Sequence, residues 1–198
     1  MVMKKILCSI PVLLLLLALA GCCANDICIC QDELADALFF TFRIGGANGF
    51  QANQVDSLFI VRIPHPTTAV PKPTRDSVLR ILPLAANGNM LTQDSIISIN
   101  NAAPFAASGG LKLDAYDYQI TAYQYSKTAP NGIRYRYTFK VANIKLTGQY
   151  NANGCCTCYQ NTSKQFDLSS NLIKPTITQT KVVTAPVAKP IITPLTTR

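Results

Sequence analysis

The 198-residue sequence carries a formal net charge of +8, has one histidine and lacks tryptophan. Most of the excess positive charge lies at the two ends, because residues 22–172 hold twelve basic and ten acidic residues, a net of +2. A body so nearly balanced lacks the basic surface that nucleic-acid binding requires, so we expect no nucleic-acid partner. One glutamate and one histidine also offer little acid–base chemistry, and we expect no enzymatic activity, no catalytic residue and no cofactor.

Residues 1–21 have the three parts of an export signal. Two lysines precede an apolar run from Ile6 to Ala20, which is shorter than the roughly 20 residues that a membrane-spanning helix needs. Small residues follow, and two cleavage sites fit them. Cleavage after Ala20, which ends an A-x-A pattern, would release a soluble secreted protein, whereas cleavage before Cys22 would expose that cysteine.

The residues at this second site, Leu19-Ala20-Gly21-Cys22, resemble the lipobox of bacterial lipoproteins. The resemblance covers only the N-terminal segment. It implies removal of residues 1–21 and attachment of membrane lipid to the Cys22 sulfur, with several acyl chains that would anchor the protein stably. In this family an aspartate after the lipidated cysteine goes with retention in the inner membrane. Cys23 stands there instead, so the resemblance favours the outer membrane of the cell envelope and leaves open which side the protein faces.

The cysteine count favours lipidation over ordinary cleavage. Cleavage after Ala20 leaves seven cysteines, whereas lipidation of Cys22 leaves six that can pair completely in an oxidising compartment. We expect these six to form disulfides: Cys23, Cys28, Cys30, Cys155, Cys156 and Cys158. Zinc is the alternative, although C-x-x-C spacing is commoner at zinc sites and the sequence has no histidine near either group.

The cysteines form two groups, one in the N-terminal segment 22–36 and one near residue 156. Residues two apart on a strand point to the same face, which suggests a pairing for two strands that run antiparallel. That register would give three bridges: Cys28–Cys158, Cys30–Cys156 and Cys23–Cys155. Six cysteines allow 15 connectivities, so other pairings stay open. In each case, bridges between the groups would staple the lipid-anchored segment to a late strand.

Residues 37–172 are predicted to form a β-sandwich domain, preceded by a helical turn that Asp32 would cap. A first strand begins at FFTFRI. Three Asp-Ser pairs, at residues 56, 76 and 94, are typical of turns before strands. The stretch SLFIVRI, which follows the first of these pairs, is apolar on both faces, as expected for a central strand.

The clearest strands form a hairpin between Tyr116 and Val141. Apolar and polar residues alternate along both of its strands, with Ile133 the first residue on the apolar face of the second strand. Beyond Ala142 the phase flips, which predicts a bulge or a strand break near Ala142–Asn143. A last strand, KQFDL, would direct Phe166 into the core.

Seven or eight short strands separated by turns predict an all-β fold, an antiparallel immunoglobulin-like β-sandwich. On the anchor and the strand pattern, the domain also resembles the small β-sandwich envelope lipoproteins of Bacteroidota. Residues 173–198, rich in proline, threonine and lysine, are expected to be a disordered tail. A more specific hypothesis is that this tail is a basic strap that touches anionic envelope polymers or lipid headgroups.

All eight tyrosines lie between Tyr116 and Tyr159, and tyrosine is favoured at recognition surfaces. The hairpin therefore offers a possible binding surface for an envelope glycan or protein: Tyr123, Tyr125, Arg134, Arg136 and Lys140. A structural or assembly component without a ligand pocket is the alternative.

Other polar residues give weaker evidence of a functional site. The acidic residues Asp114 and Asp117 supply too few oxygens for a calcium cage, so no metal site is predicted. His65, which lies in a loop between two prolines, is expected to be inert.

Overall fold

The computed structural model describes residues 28, 30, 35–51, 54–66, 68, 74–82, 96–101, 103–105, 112–125, 132–172, 178–184 and 192–196. These residues form nine β-strands: β1 (Leu38–Phe42), β2 (Ser57–Pro64), β3 (Asp76–Ile81), β4 (Ile97–Ile99), β5 (Tyr116–Tyr125), β6 (Ile133–Asn153), β7 (Cys156–Ser170), β8 (Thr178–Thr184) and β9 (Ile192–Leu195). A short 3-10 turn, Leu113–Ala115, precedes β5.

The strands form two sheets. The smaller sheet has the order β4-β1-β9 and the larger one the order β3-β2-β5-β6-β7-β8. Neighbouring strands are antiparallel except for β1 and β9, which run parallel. The prediction of an all-β antiparallel sandwich is thus confirmed, except that β1 and β9 run parallel, and the described residues form nine strands instead of seven or eight.

Aromatic side chains fill the space between the sheets. Phe40 of β1 meets Phe166 of β7 edge to face, with the ring centroids 5.8 Å apart, and Phe42 meets Phe139 of β6 at 6.3 Å. The predicted alternation of β5 is present as well, since its core positions are buried: Tyr116, Tyr118, Ile120 and Ala122. Burial of such large apolar surfaces is the main favourable contribution to folding.

A buried cation closes one end of this core. Arg62 of β2 is almost fully buried and pairs with Asp76 of β3, with Nη2 and Oδ2 3.0 Å apart. Its guanidinium carbon lies 4.5 Å from the ring centre of Phe105 and 5.2 Å from that of Tyr116. Ion pairing and contact with two ring faces offset the cost of burying the charge. This explains how an arginine fits in the apolar central strand SLFIVRI.

The predicted bulge in β6 is confirmed. The β6–β7 register shifts between Ala142 and Lys145, and Asn143 has a positive φ of 52°. The Asn143 side-chain amide donates a hydrogen bond to Asp167 Oδ2 at 2.8 Å, which holds the bulge against β7. Because the extra residue reverses the alternation, Ile144 returns to the core side and is buried.

The C-terminal residues differ from the expectation of disorder in two places. Strand β8 pairs with β7, and β9 pairs with β1 inside the smaller sheet, where Leu195 is fully buried. Pro194 is tolerated because β9 is an edge strand of the smaller sheet. The threonines and valines of β8 favour an extended backbone. Residues 173–177 and 185–191 of the predicted tail lie outside the described residues.

Two disulfides are present, but the antiparallel pairing is wrong. Cys28 bonds to Cys156 and Cys30 to Cys158, and both bridges join residues 128 positions apart. Equal separation means that the segment with Cys28 and Cys30 runs in the same direction as β7. Cys155 is also disulfide-bonded, while Cys23, its predicted partner, lies outside the described residues.

Several other predictions also concern residues outside the described part of the chain. These are the signal segment 1–21, the lipid site Cys22, the capping residue Asp32 and the turn at residue 94. Among the described residues, no helix is both long and apolar enough to span a bilayer.

Candidate functional site

The β5–β6 hairpin brings three of the five predicted surface residues to one face. Tyr123 lies opposite Arg136, and Gln119 lies opposite Lys140. These positions alternate with core residues such as Ile120 and Phe139, so they occupy the face of the larger sheet that points away from the smaller sheet. We call this the outer face. Arg136 and Lys140 are exposed there and Tyr123 is half-buried.

The other two predicted residues depart from the expected ladder. Gln124 pairs with Tyr135, but Tyr125 pairs with Ile133, so Arg134 is the extra residue of a bulge. The predicted alternation of buried and exposed positions begins at Ile133, but the inserted residue reverses the side of the strand on which neighbouring side chains lie. The alternation therefore holds only from Tyr135 onward. The side chains of Tyr125 and Arg134 lie outside the described part of the structure.

A polar group joins this face at the start of β5. His65 Nε2 lies 2.9 Å from Asp117 Oδ1, and Lys140 Nζ lies 3.6 Å from Asp117 Oδ2. His65 is held in place by its backbone N–H, which donates to Ala115 O at 3.0 Å. We call the five residues Tyr123, Arg136, Lys140, Asp117 and His65 the outer-face cluster.

Sequence reasoning missed the His65 contact, because 52 residues separate His65 from Asp117. The signal that could have found it is the pairing of β2 with β5. Ile63 lies opposite Asp117, so the residue that follows β2 by one position comes close to that carboxylate. His65 is thus part of a hydrogen-bonded group, a contact that the sequence did not predict.

A strip of hydroxyl and amide groups lies between the Tyr123–Arg136 pair and the charged group at the start of β5. The Gln119 side-chain amide donates to Thr121 Oγ1 at 3.2 Å, and the hydroxyls of Thr121 and Thr138 are 3.5 Å apart. The Thr138 backbone N–H donates to Asn171 Oδ1 at 2.9 Å. Thr121 is fully buried, so the groups available to a ligand are an aromatic ring, two cations and a carboxylate, which can recognise hydroxyl-rich or anionic ligands.

The two acidic residues considered as calcium ligands lie in different surroundings. Asp114 lies in the 3-10 turn and Asp117 contacts His65 and Lys140. The described residues contain no group of three or more His, Cys, Asp or Glu side chains placed to hold a metal ion.

A second feature links the N-terminal residues to β7. Besides the two disulfides, Lys164 Nζ donates to Ala37 O at 2.7 Å, and the Asn161 side-chain amide donates to Asp36 Oδ1 at 2.7 Å and to Ala35 O. Cys28, Cys30 and then residues 35–37 therefore follow residues 156–164 in parallel. From this point on, the name N-terminal segment refers to these described residues, 28, 30 and 35–37.

The polar end of this contact is buried. Asp36, Asn161 and Lys164 are each less than a tenth exposed, and Asn101 donates a further hydrogen bond to Asp36 Oδ2 at 3.0 Å. Burial lowers the pKa of the Lys164 ammonium, while the nearby Asp36 carboxylate acts in the opposite direction. We call Asp36, Asn101, Asn161 and Lys164 the polar junction.

Two further pKa shifts have structural causes. Burial raises the pKa of the Tyr118 hydroxyl, and the positive charge of Arg62 opposes this shift. Hydrogen bonds from Asn143 and then Thr180 lower the pKa of Asp167. The pKa shift of Tyr118 thus results from its burial in the core, and that of Asp167 results from hydrogen bonds at the β6 bulge and with β8.

Beyond this junction, β6 and β7 continue as a two-stranded arm. Strand β5 pairs with β6 only as far as Val141, and β8 pairs with β7 from Ser163 onward. We call the part from Gly148 to Gln160 the hairpin arm. Within it the Tyr159 ring covers Gly148, where an added Cβ would lie 2.6 Å from Tyr159 Cζ.

Comparisons with profiles of known protein families, with curated proteins and with solved structures found no match.

Proposed function

We propose that this chain is a lipid-anchored protein of the bacterial cell envelope, and that its sandwich is a non-catalytic binding module for an envelope glycan or protein. The lipid anchor would be attached to Cys22, for which the lipobox-like sequence is the support. The disulfides at Cys28 and Cys30 agree with an oxidising compartment outside the cytoplasm.

The observation that carries the binding proposal is the outer-face cluster. Tyr123 lies opposite Arg136, and Lys140 shares the Asp117 carboxylate with His65. An aromatic ring supplies contact area, while arginine and lysine supply donors to hydroxyl, phosphate or carboxylate groups. Tyrosine and arginine are also the residues most enriched where binding energy concentrates.

Binding is tested with the purified mature ectodomain, which is incubated with isolated peptidoglycan and with purified envelope polysaccharide. Each insoluble or immobilised polymer is then washed, and the retained protein is measured. We expect retention by at least one polymer, and we expect Tyr123→Ala/Arg136→Ala to weaken it about tenfold, since truncation of a central contact commonly costs 1–2 kcal/mol.

The matched control is Arg80→Ala, which removes an exposed arginine from β3 at the edge of the larger sheet. It should bind as the unmodified chain does. Equal weakening by both variants would indicate general charge attraction instead of a site. No retention by any polymer, together with no envelope protein captured in a Tyr123-dependent manner, would remove the binding proposal in favour of a structural component.

The anchor is tested separately by intact mass measurement of the chain purified from membranes. We expect a mature chain that begins at Cys22 and carries acyl mass, and we expect Cys22→Ser to leave the membrane fraction or to stay unprocessed. A mature chain that begins at Gly21 without acyl mass would contradict the anchor.

A further inference from the structure

The N-terminal segment is fixed close to the end of the hairpin arm. Cys28 bonds to Cys156, the first residue of β7, and Cys30 bonds to Cys158. The turn of the arm, which contains Gly154, is only two residues from Cys156. The chain therefore leaves the described structure, toward lower residue numbers, from the outer end of the arm.

The chain before this point is short. Six residues separate Cys22 from Cys28, and six extended residues span at most about 20 Å. Without the bridges, the first buried hydrogen bond among the described residues of the N-terminal segment would be at Asp36, fourteen positions from Cys22, and the possible span would be about 50 Å. A lipid on Cys22 thus keeps the end of the arm within about 20 Å of the bilayer.

The surface of the arm suits the polar boundary of a bilayer. Residues 146–163 contain no Asp, Glu, Lys, Arg or His, so no charged side chain of this stretch would lose hydration there. Tyr150 is 74% exposed, and its ring centre lies 5.4 Å from that of Tyr159. Tyrosine is enriched at membrane interfaces, where its ring contacts lipid and its hydroxyl stays hydrated.

A cation accompanies this tyrosine pair. Lys112 Nζ lies 5.6 Å from the Tyr159 ring centre, and the Lys112 side chain is exposed. An ammonium group at this place can approach lipid phosphates, and a lysine close to an anionic surface strengthens attachment to it.

We propose that the end of the hairpin arm rests on the phospholipid surface that holds the Cys22 lipid, and that Tyr150 enters the headgroup region. This inference rests on the proposed lipid anchor. It assigns a membrane-contacting role to the β6–β7 turn, to Tyr150 and Tyr159, and to Lys112. The partner is the bilayer itself, recognised by an uncharged aromatic tip with one adjacent cation.

The arrangement also sets the distance between the bilayer and the outer-face cluster. Tyr150 lies twelve residues along β6 from Thr138, which is level with the cluster, and twelve strand residues span about 40 Å. The arm would act as a spacer, with the bilayer at one end and the cluster near the other.

The absence of tryptophan from the sequence allows a direct test with a single introduced reporter. The full acylated chain with Tyr150→Trp is purified from membranes and reconstituted into vesicles of phosphatidylethanolamine and phosphatidylglycerol. Some vesicles carry a spin-labelled headgroup that quenches nearby tryptophan fluorescence. The matched control is Leu79→Trp, since Leu79 is 55% exposed and is in register with Thr138 through Phe59 and Thr121.

We expect the headgroup label to quench the Tyr150→Trp variant several-fold more than the Leu79→Trp variant, with emission at a shorter wavelength and less quenching by aqueous iodide. Circular dichroism confirms that both variants are folded. An acylated chain with equal quenching at both positions overturns the membrane contact alone. A chain without acyl mass at Cys22 overturns the proposed anchor and, with it, this inference, so the two failures are distinguished by mass.

Discussion

The sandwich body and the hairpin arm are parts of the same two strands, β6 and β7, and they are stabilised in different ways. In the body, Phe139 and Phe166 are buried between two sheets. In the arm, Tyr150 and most of its neighbours are exposed, and the fixed points are the disulfides at Cys156 and Cys158. Hydrophobic burial needs two layers, so a two-stranded extension requires covalent support.

The polar junction lies where the two regions meet. Asp36 accepts hydrogen bonds from Asn161 and Asn101, and Lys164 donates to Ala37 O. Buried polar groups need fixed partners, so these bonds define one position of the N-terminal segment on β7. The junction fixes the position and direction of the N-terminal segment on β7, whereas a purely apolar contact would let this segment slide along the strand.

The largest effect is expected from a truncation in the body. Phe139→Ala should lower the free energy of unfolding by about 3–5 kcal/mol, because it leaves a cavity between the two sheets. Tyr150→Ala, the matched truncation in the arm, should change it by less than about 0.5 kcal/mol. Urea unfolding followed by circular dichroism measures both. Similar losses for the two variants would contradict the division into body and arm.

An intermediate effect is expected from the disulfides, and it should not be additive. While one bridge remains, the loop of 128 residues stays closed, so Cys30→Ser/Cys158→Ser should cost about 2 kcal/mol. Reduction of every bridge, including the one at Cys155, opens that loop and should cost about 5 kcal/mol or more. Urea unfolding of the oxidised, single-pair and fully reduced proteins tests this order. Equal losses for the single-pair and the fully reduced proteins would contradict this order, because they would show that the remaining bridges contribute nothing.

The smallest effect is expected at the junction and depends on pH. The pKa of Lys164 is lowered by folding, so the unfolded chain binds more protons between the folded pKa and the ordinary value near 10.5. Stability of the unmodified protein should therefore rise across that window relative to Lys164→Met, which cannot titrate there. Urea unfolding at several pH values between 7 and 10.5 measures the difference.

The control for this comparison is Lys145→Met, which removes an exposed lysine from the neighbouring strand β6. It accounts for the loss of one positive charge. Tyr118, whose pKa is raised by burial, is present in all three proteins, so its contribution cancels in the differences. Parallel stability curves for the unmodified protein and Lys164→Met would contradict the lowered pKa.

Local patterns in the sequence were sufficient for much of the fold. The alternation of β5 predicted the burial of Tyr116, Tyr118, Ile120 and Ala122, although Thr121 on the opposite face is buried as well. The phase change after Ala142 predicted a bulge or a strand break, and the structure has a bulge at Asn143. Both signals are local, because side-chain direction along a strand depends only on residue parity. The polarity of neighbouring residues was therefore enough to find them.

Features that depend on distant partners could not be read in the same way. Cys28 and Cys156 were recognised as disulfide residues, but the direction in which the N-terminal segment runs is set by Asp36 and Lys164, far from the cysteines. Strand β9 was missed because proline usually argues against a strand and its partner β1 lies at the other end of the described chain. The outer-face cluster likewise needed the β2–β5 register to bring His65 to Asp117.

The parallel pairing of β1 with β9 has a consequence for the order of assembly. During synthesis β1 emerges long before one of its two neighbours in the smaller sheet, because Ile192 of β9 follows Phe42 of β1 by 150 positions. Phe40 and Phe42 must therefore wait, with one flank of their strand open, until β9 has been made. A chain shortened before Ile192 would keep that flank open permanently, exposing a hydrogen-bonding edge to other chains.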